Sequence, residues 1–204
     1  MPLQNRVLPT GEIVAIPARG TLTGNRGIIH RDDQTLGASR WSHQAWICCT
    51  LDWQGRKRQV MTGRKWTELF FLDEAVALAA GHRPCGYCRR KAYQRFQQLW
   101  AKATGTPAKA PKMDRQLHQA RIVPGSRKQH RHAAPIATLP DGTLIEHRDQ
   151  PHLVRGRHLF AFSPEGYHAP LTRPASGEAC VLTPAPIVAV LRAGYHPQIN
   201  PSAL

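Results

Sequence analysis

Residues 81–90 read Gly81-His-Arg-Pro-Cys-Gly-Tyr-Cys-Arg-Arg90, and the rest of the chain is best read outward from them. Two thiols separated by two residues on a tight turn can reach one tetrahedral ion, so Cys85 and Cys88 are expected ligands of a structural zinc. Two bland readings share the spacing. A redox dithiol calls for a thioredoxin-like βαβ setting that the flanks lack, and a pair of unrelated core thiols is the other. Just upstream, Asp73 is placed to cap a short helix through Glu74-Ala-Val-Ala-Leu-Ala-Ala80, with Gly81 as its stop. Just downstream, Ala92, Tyr93, Phe96, Leu99, Trp100 and Ala103 recur at helical spacing, and Arg89, Arg90, Lys91, Gln94 and Arg95 take the remaining surface. The knuckle is therefore expected at the start of a basic amphipathic helix.

Further out the pattern is mixed. A strand is expected from Glu12 to Ile16, then a glycine-containing loop from Pro17 to Gly27, in which Arg19 and Arg26 are the charges able to meet phosphate. Ala45 to Trp53 reads as a strand with Ile47, Cys49, Leu51 and Trp53 on one face and Trp46 and Cys48 on the other, so the adjacent cysteines point opposite ways. A basic turn at residues 55–58 leads to expected strands at Gln59–Met61 and Thr67–Phe71. A third helix is expected from Pro111 to Ile122, with Met113, Leu117 and Ala120 as its apolar stripe and Asp114, His118 and Arg121 beside it. Strands follow at Ile136–Leu139, Thr143–His147 and Leu153–Phe162. Cys180 reads as the start of a buried apolar strand, and Thr183 as the cap of a last helix running to Arg192. The fold class is α+β: a small zinc-stabilised module of short strands and helices over residues 1–132, then a β-rich C-terminal segment, 133–204, packed on it and ending in a helix.

Charge points to the partner. There are 28 Lys and Arg against 13 Asp and Glu, a net charge of +15, and between Glu74 and Asp141 the only acid is Asp114. So one-sided a field attracts nucleic acid, with DNA favoured over RNA, although a cationic surface kept for solubility has the same composition. The expected contacts are Arg19, Arg26, Arg89, Arg90, Lys91, Arg95 and Arg121. No apolar run is long enough to span a bilayer, the first residues do not read as a signal peptide, and five unevenly placed cysteines do not make a secreted disulfide scaffold. A cytoplasmic protein without a membrane partner is expected.

The segment from Thr67 to Arg90 resembles the second half of the zinc-binding module of the Ada DNA-repair family, in which a strand and an Ala-rich helix lead to an Arg-Pro-Cys-x-x-Cys knuckle. The resemblance implies a four-ligand zinc on a small α/β module gripping the DNA backbone, with further cysteines supplied by an upstream strand. The family separates those upstream cysteines by three residues, whereas this chain has adjacent Cys48 and Cys49. Cys49 is favoured as third ligand because its face is the one expected to meet the knuckle. For the fourth, His118 is the candidate, since His43 would lie about 20 Å away along the same strand at about 3.3 Å per residue. The resemblance further implies that a zinc thiolate accepts a methyl group from a DNA phosphotriester. A separate reading makes the chain a nuclease or glycosylase that uses Asp114 and His118, one helical turn apart, as its catalytic groups.

Overall fold

The computed structural model describes residues 1–55, 59–106 and 108–204. Of the basic turn expected at 55–58, residues 56–58 lie outside the described residues. The first half forms a six-stranded sheet from β1 (Gln4–Val7), β2 (Ile13–Ala15), β3 (Leu22–Asn25), β4 (Ile47–Thr50), β5 (Leu69–Phe71) and β6 (Arg83–Pro84), with α1 (Glu74–Ala79) between β5 and β6. Its strand order is β2-β1-β5-β3-β4-β6. Then come α2 (Arg90–Thr104) and α3 (Ala110–Arg121). The second six-stranded sheet, in the order β11-β10-β9-β8-β12-β7, is built from β7 (His132–Pro135), β8 (Leu144–His147), β9 (Gln150–Arg155), β10 (His158–Ser163), β11 (Gly166–Thr172) and β12 (Glu178–Val181), followed by α4 (Ala185–Arg192). The chain is thus α+β and ends, past α4, in a short 3-10 turn.

At the centre of the molecule lies α1, all six of whose residues are buried. Ala75, Val76, Ala77 and Ala79 pack with Val7, Leu69 and Phe71 of the first sheet and with Leu144 and Leu153 of the second. Leu78 points the other way, into a cluster with Phe96 and Trp100 of α2, Leu117 of α3 and Val190 of α4. Being apolar nearly all round, such a helix has no face to offer water. Its ends are held from both halves of the chain. Asp73 caps it, Oδ1 accepting from Val76 N at 2.9 Å, while Oδ2 accepts from Tyr167 Oη and Asn200 N at 3.0 Å each. At the other end Gln129 Nε2 donates to Ala79 O and to Leu182 O at 2.8 and 2.7 Å. The segments drawn at 1–132 and 133–204 meet inside β7, and one core draws on both.

Several local expectations yield to tertiary context. Residues 22–25, read as loop, are the central strand β3, because Gly24 must lie flush against its neighbours: a Cβ there would sit 2.2 Å from Ile47 O. Gln59–Met61 forms no strand; Met61 has a φ of 54° and its amide donates to Glu68 Oε2. Ile136–Thr138 is a 3-10 turn, and the expected strand at 153–162 is a hairpin of β9 and β10. Thr183 does not cap α4. Its hydroxyl accepts from Leu144 N at 2.9 Å, and Pro184 occupies the N-cap. Cys180 is exposed, since Ala179 and Val181 take the buried phase of β12.

Candidate metal centre

The short pairing of β4 with β6 builds the centre. The two strands run parallel with Ile47 opposite Arg83 and Cys48 opposite Pro84, and Cys85 N donates to Cys48 O at 2.9 Å. One step further along this register Cys85 emerges beside Cys49. The chain then turns through Gly86 and Tyr87, closed by Arg89 N donating to Cys85 O at 3.1 Å, and returns Cys88 to the same spot. Gly86 makes this turn fit closely, because a Cβ there would stand 3.1 Å from the Tyr93 ring. The sulfur atoms of Cys49, Cys85 and Cys88 lie within 4.8 Å of one another.

These three sulfurs can hold a metal ion. A tetrahedron with metal–sulfur bonds of about 2.3 Å has edges of about 3.8 Å, so the sulfurs need only close slightly around an ion. Their electrostatics fit the same role. Cys85 Sγ accepts from Tyr87 N at 3.4 Å, and the Cys49 and Cys88 side chains beside it hold its thiol far below the ordinary range. Cys49, beside the other two sulfurs in a partly buried site, is pushed up by them and then by desolvation. Among the described residues no His, Asp, Glu or further Cys joins the cluster at this distance, and the residues outside the described set carry none of these side chains.

Cys48 faces the other way. It is fully buried, accepts from Arg89 Nη1 at 3.2 Å, and is pushed up to about 12 by desolvation and then by the nearby Glu74 carboxylate. Strand alternation thus separates the adjacent cysteines into one cluster member and one core thiol.

The other residues singled out by sequence fall into three groups. Arg19, Arg90, Lys91 and Arg95 are exposed, the last three on the solvent face of α2 directly after Cys88. Arg89 is turned inward, its Nη2 2.8 Å from Glu74 Oε2. Arg26 and Arg121 are buried at 2 % and 1 % exposure. Drawn from opposite ends of the module, they stack on one indole, their guanidinium carbons 4.1 and 3.7 Å from the Trp46 ring centre. Arg121 donates to Gly81 O and Gln44 O, and Arg26 to Gly11 O and His82 Nε2. Their charges serve the interior. Burial lowers the pKa of both, followed by Arg40 in the case of Arg26 and by Arg26 in the case of Arg121.

His118 stands apart from the sulfur cluster. Its Nδ1 lies 3.1 Å from Arg121 Nη2 and its ring meets Trp41 and Trp46 edge-on. Asp114 gives both oxygens to Arg83, with Nε to Oδ1 and Nη2 to Oδ2 each at 2.7 Å in a buried fork. His43 precedes β4 instead of lying on it, and borders a groove that Cys85 also borders.

Arg83 is the site residue that sequence reading passed over. It bonds Asp114, stacks over Tyr93 at 5.2 Å, and carries the backbone of β6 that delivers Cys85. Burial works against its charge, but the Asp114 carboxylate more than offsets this and holds the guanidinium above its ordinary range. A signal was present: the single acid of a long basic block has many cationic suitors. Glu74 went unremarked too, although it is buried and accepts from Arg89, Tyr195 Oη and Gln198 N.

Comparison with known protein families, curated proteins and solved structures finds no match to this chain. Among the described residues no helix is long and apolar enough to cross a membrane.

Proposed function

We propose that the chain is a zinc-containing, nucleic-acid-binding protein acting in DNA repair or processing in the cytoplasm. The observation that carries the reading is the joining of two features at one residue: the three-cysteine cluster ends at Cys88, and the exposed Arg90, Lys91 and Arg95 of α2 begin directly after it. Cys49, Cys85 and Cys88 would hold the ion, and zinc would supply a tie between β4 and the knuckle that fixes where α2 starts. Phosphate contacts made by a rigidly placed row of bases set affinity and register without reading sequence. The resemblance of residues 67–90 to the Ada module supports DNA over RNA, and the excess of base over acid supports a polyanion.

The hydrolase reading draws no support from the geometry. Asp114 is held in a fork by Arg83, and His118 is directed at Arg121. Methyl acceptance would rest on Cys49, the one upstream cysteine in the cluster.

Titrating labelled duplex and single-stranded DNA with the full chain at several salt concentrations tests the proposal. Binding should weaken as salt rises, and replacing Arg90, Lys91 and Arg95 together by Gln should reduce the slope of log K against log salt by about 2–3. A slope unchanged by the triple substitution would remove α2 from the interface.

A further inference from the structure

Beside the knuckle a groove of about 340 Å³ runs along the outward face of β4, bordered by Asn25, His43, Ile47, Cys85, Tyr93 and Ala110. It shares Cys85 with the cluster and Arg83 and Gly86 with the segment that presents that cysteine, while its other walls lie outside the metal centre. We infer that this groove takes one unpaired base of a single-stranded nucleic acid, stacked against Tyr93; this rests on the nucleic-acid reading above and names what part of the ligand the protein holds.

Four observations lead there. The first is shape: the volume lies at the low end for small-molecule sites, suited to one flat ring with its sugar and too small for a duplex or a folded peptide. The second is a prepared aromatic wall. Tyr93 is held in place by its neighbours: the Arg83 guanidinium lies over its ring at 5.2 Å, Gly86 packs close enough that a Cβ there would stand 3.1 Å from the ring, and Arg83 is itself locked by Asp114. An aromatic ring already held in place takes a base without a further ordering cost.

The third is the polar set. Asn25 Oδ1 accepts from Gly27 N at 3.2 Å, which leaves its NH2 as a donor, and the exposed His43 imidazole adds a group that both donates and accepts. Two such groups beside an apolar floor of Ile47 and Ala110 match the edge and the face of a base. The fourth is charge. No carboxylate borders the groove, and the exposed Arg90, one turn before Tyr93 on α2, and Lys109, next to Ala110, are placed for the phosphates on either side. This excess of positive charge selects a polyanion over an apolar peptide as the occupant. Bases stacked in a duplex do not offer a free face, so the strand must be single there.

The test compares a twelve-residue oligothymidylate with a base-free strand of the same length and backbone, both labelled, by anisotropy with the full chain. The oligothymidylate should bind about tenfold tighter or more, the scale of one base stacked on an aromatic ring. Two variants attack the groove differently: Ala110→Trp fills it, and Tyr93→Leu removes the ring. With circular dichroism and metal content as in the parent, each should bring oligothymidylate down to the affinity of the base-free strand without altering that strand's binding. Equal affinity of the parent for both strands, or a preference that survives both variants, overturns the inference and leaves salt-dependent nucleic-acid binding intact. Failure of the parent to bind either strand or a duplex at low salt overturns the inference together with the nucleic-acid reading. A labelled apolar peptide that binds the parent and is expelled by Ala110→Trp, with no base preference seen, also counts against it.

Discussion

Removing the Asp114 carboxylate is the sharpest test of how the centre is held. The pair it forms with Arg83 is buried, with side-chain exposures of 7 % and 8 %, and it is bidentate at 2.7 Å on both arms. Taking one partner from such a pair leaves a charge stranded in the interior and costs about 3–5 kcal/mol. For a chain of this size, about 2–4 °C of melting temperature follows each kcal/mol, so Asp114→Ala should melt about 6–20 °C lower. The damage should also reach the metal. Arg83 lies in β6, the two-residue strand whose pairing with β4 sets Cys85 beside Cys49, so the variant should bind zinc about 10–100-fold more weakly, as when a ligand's supporting contact is lost. The double substitution Arg83→Met with Asp114→Leu removes both charges and should recover most of the stability. Thermal and denaturant unfolding, with zinc titration monitored by a competing chelator, provide the measurements. If Asp114→Ala melted like the parent while losing a hydrolytic activity, Asp114 would be a catalytic acid and the structural assignment would be wrong.

Other outcomes follow from the same geometry. His82 is buried and, through desolvation and then Arg26 and Arg121, titrates well below its ordinary value. The unfolded chain therefore binds a proton near pH 6.5 that the folded chain refuses, and stability is lost as pH falls below that value. His82→Phe should flatten the acid limb of a stability–pH curve by up to about 1.4 kcal/mol per pH unit, and an unchanged limb would remove His82 from the linkage. Gly81 has a φ of 81°, and a Cβ there would lie 2.5 Å from Arg121 Cδ, so Gly81→Ala should cost at least about 1 kcal/mol in denaturant unfolding. In thiol labelling of the metal-loaded protein, exposed Cys180 should react first and Cys48, buried and pushed up to about 12, should resist until the chain unfolds. Rapid labelling of Cys48 in the folded state would contradict its placement.

The parts of the fold legible in the sequence are those with local causes. Asp73, the Ala-rich run and Gly81 specify α1, and the 3.6-residue recurrence from Ala92 to Ala103 specifies α2, because caps and amphipathic spacing act within a few residues. Strand alternation separates Cys49 from Cys48, and the face Cys49 shares with Ile47, Leu51 and Trp53 is what favours it as the ligand. What escaped detection depends on partners far away in the chain. β3 hides in a glycine-rich stretch because closeness to Ile47 and Phe71 demands the very residue that usually marks a turn. Arg26 and Arg121 look like phosphate contacts until Trp46 is seen between them, and no local pattern distinguishes a guanidinium that meets water from one that meets an indole. Asp114 and His118 share a helix side, yet Arg83 and Arg121 claim them separately.

Metal content per chain across a set of cysteine-to-serine variants tests the three-cysteine metal centre itself. The parent should hold one zinc per chain, lose it in Cys49→Ser, Cys85→Ser and Cys88→Ser, and retain it in Cys48→Ser. A parent that binds no metal, or a site that survives Cys49→Ser and is lost in Cys48→Ser, would contradict it.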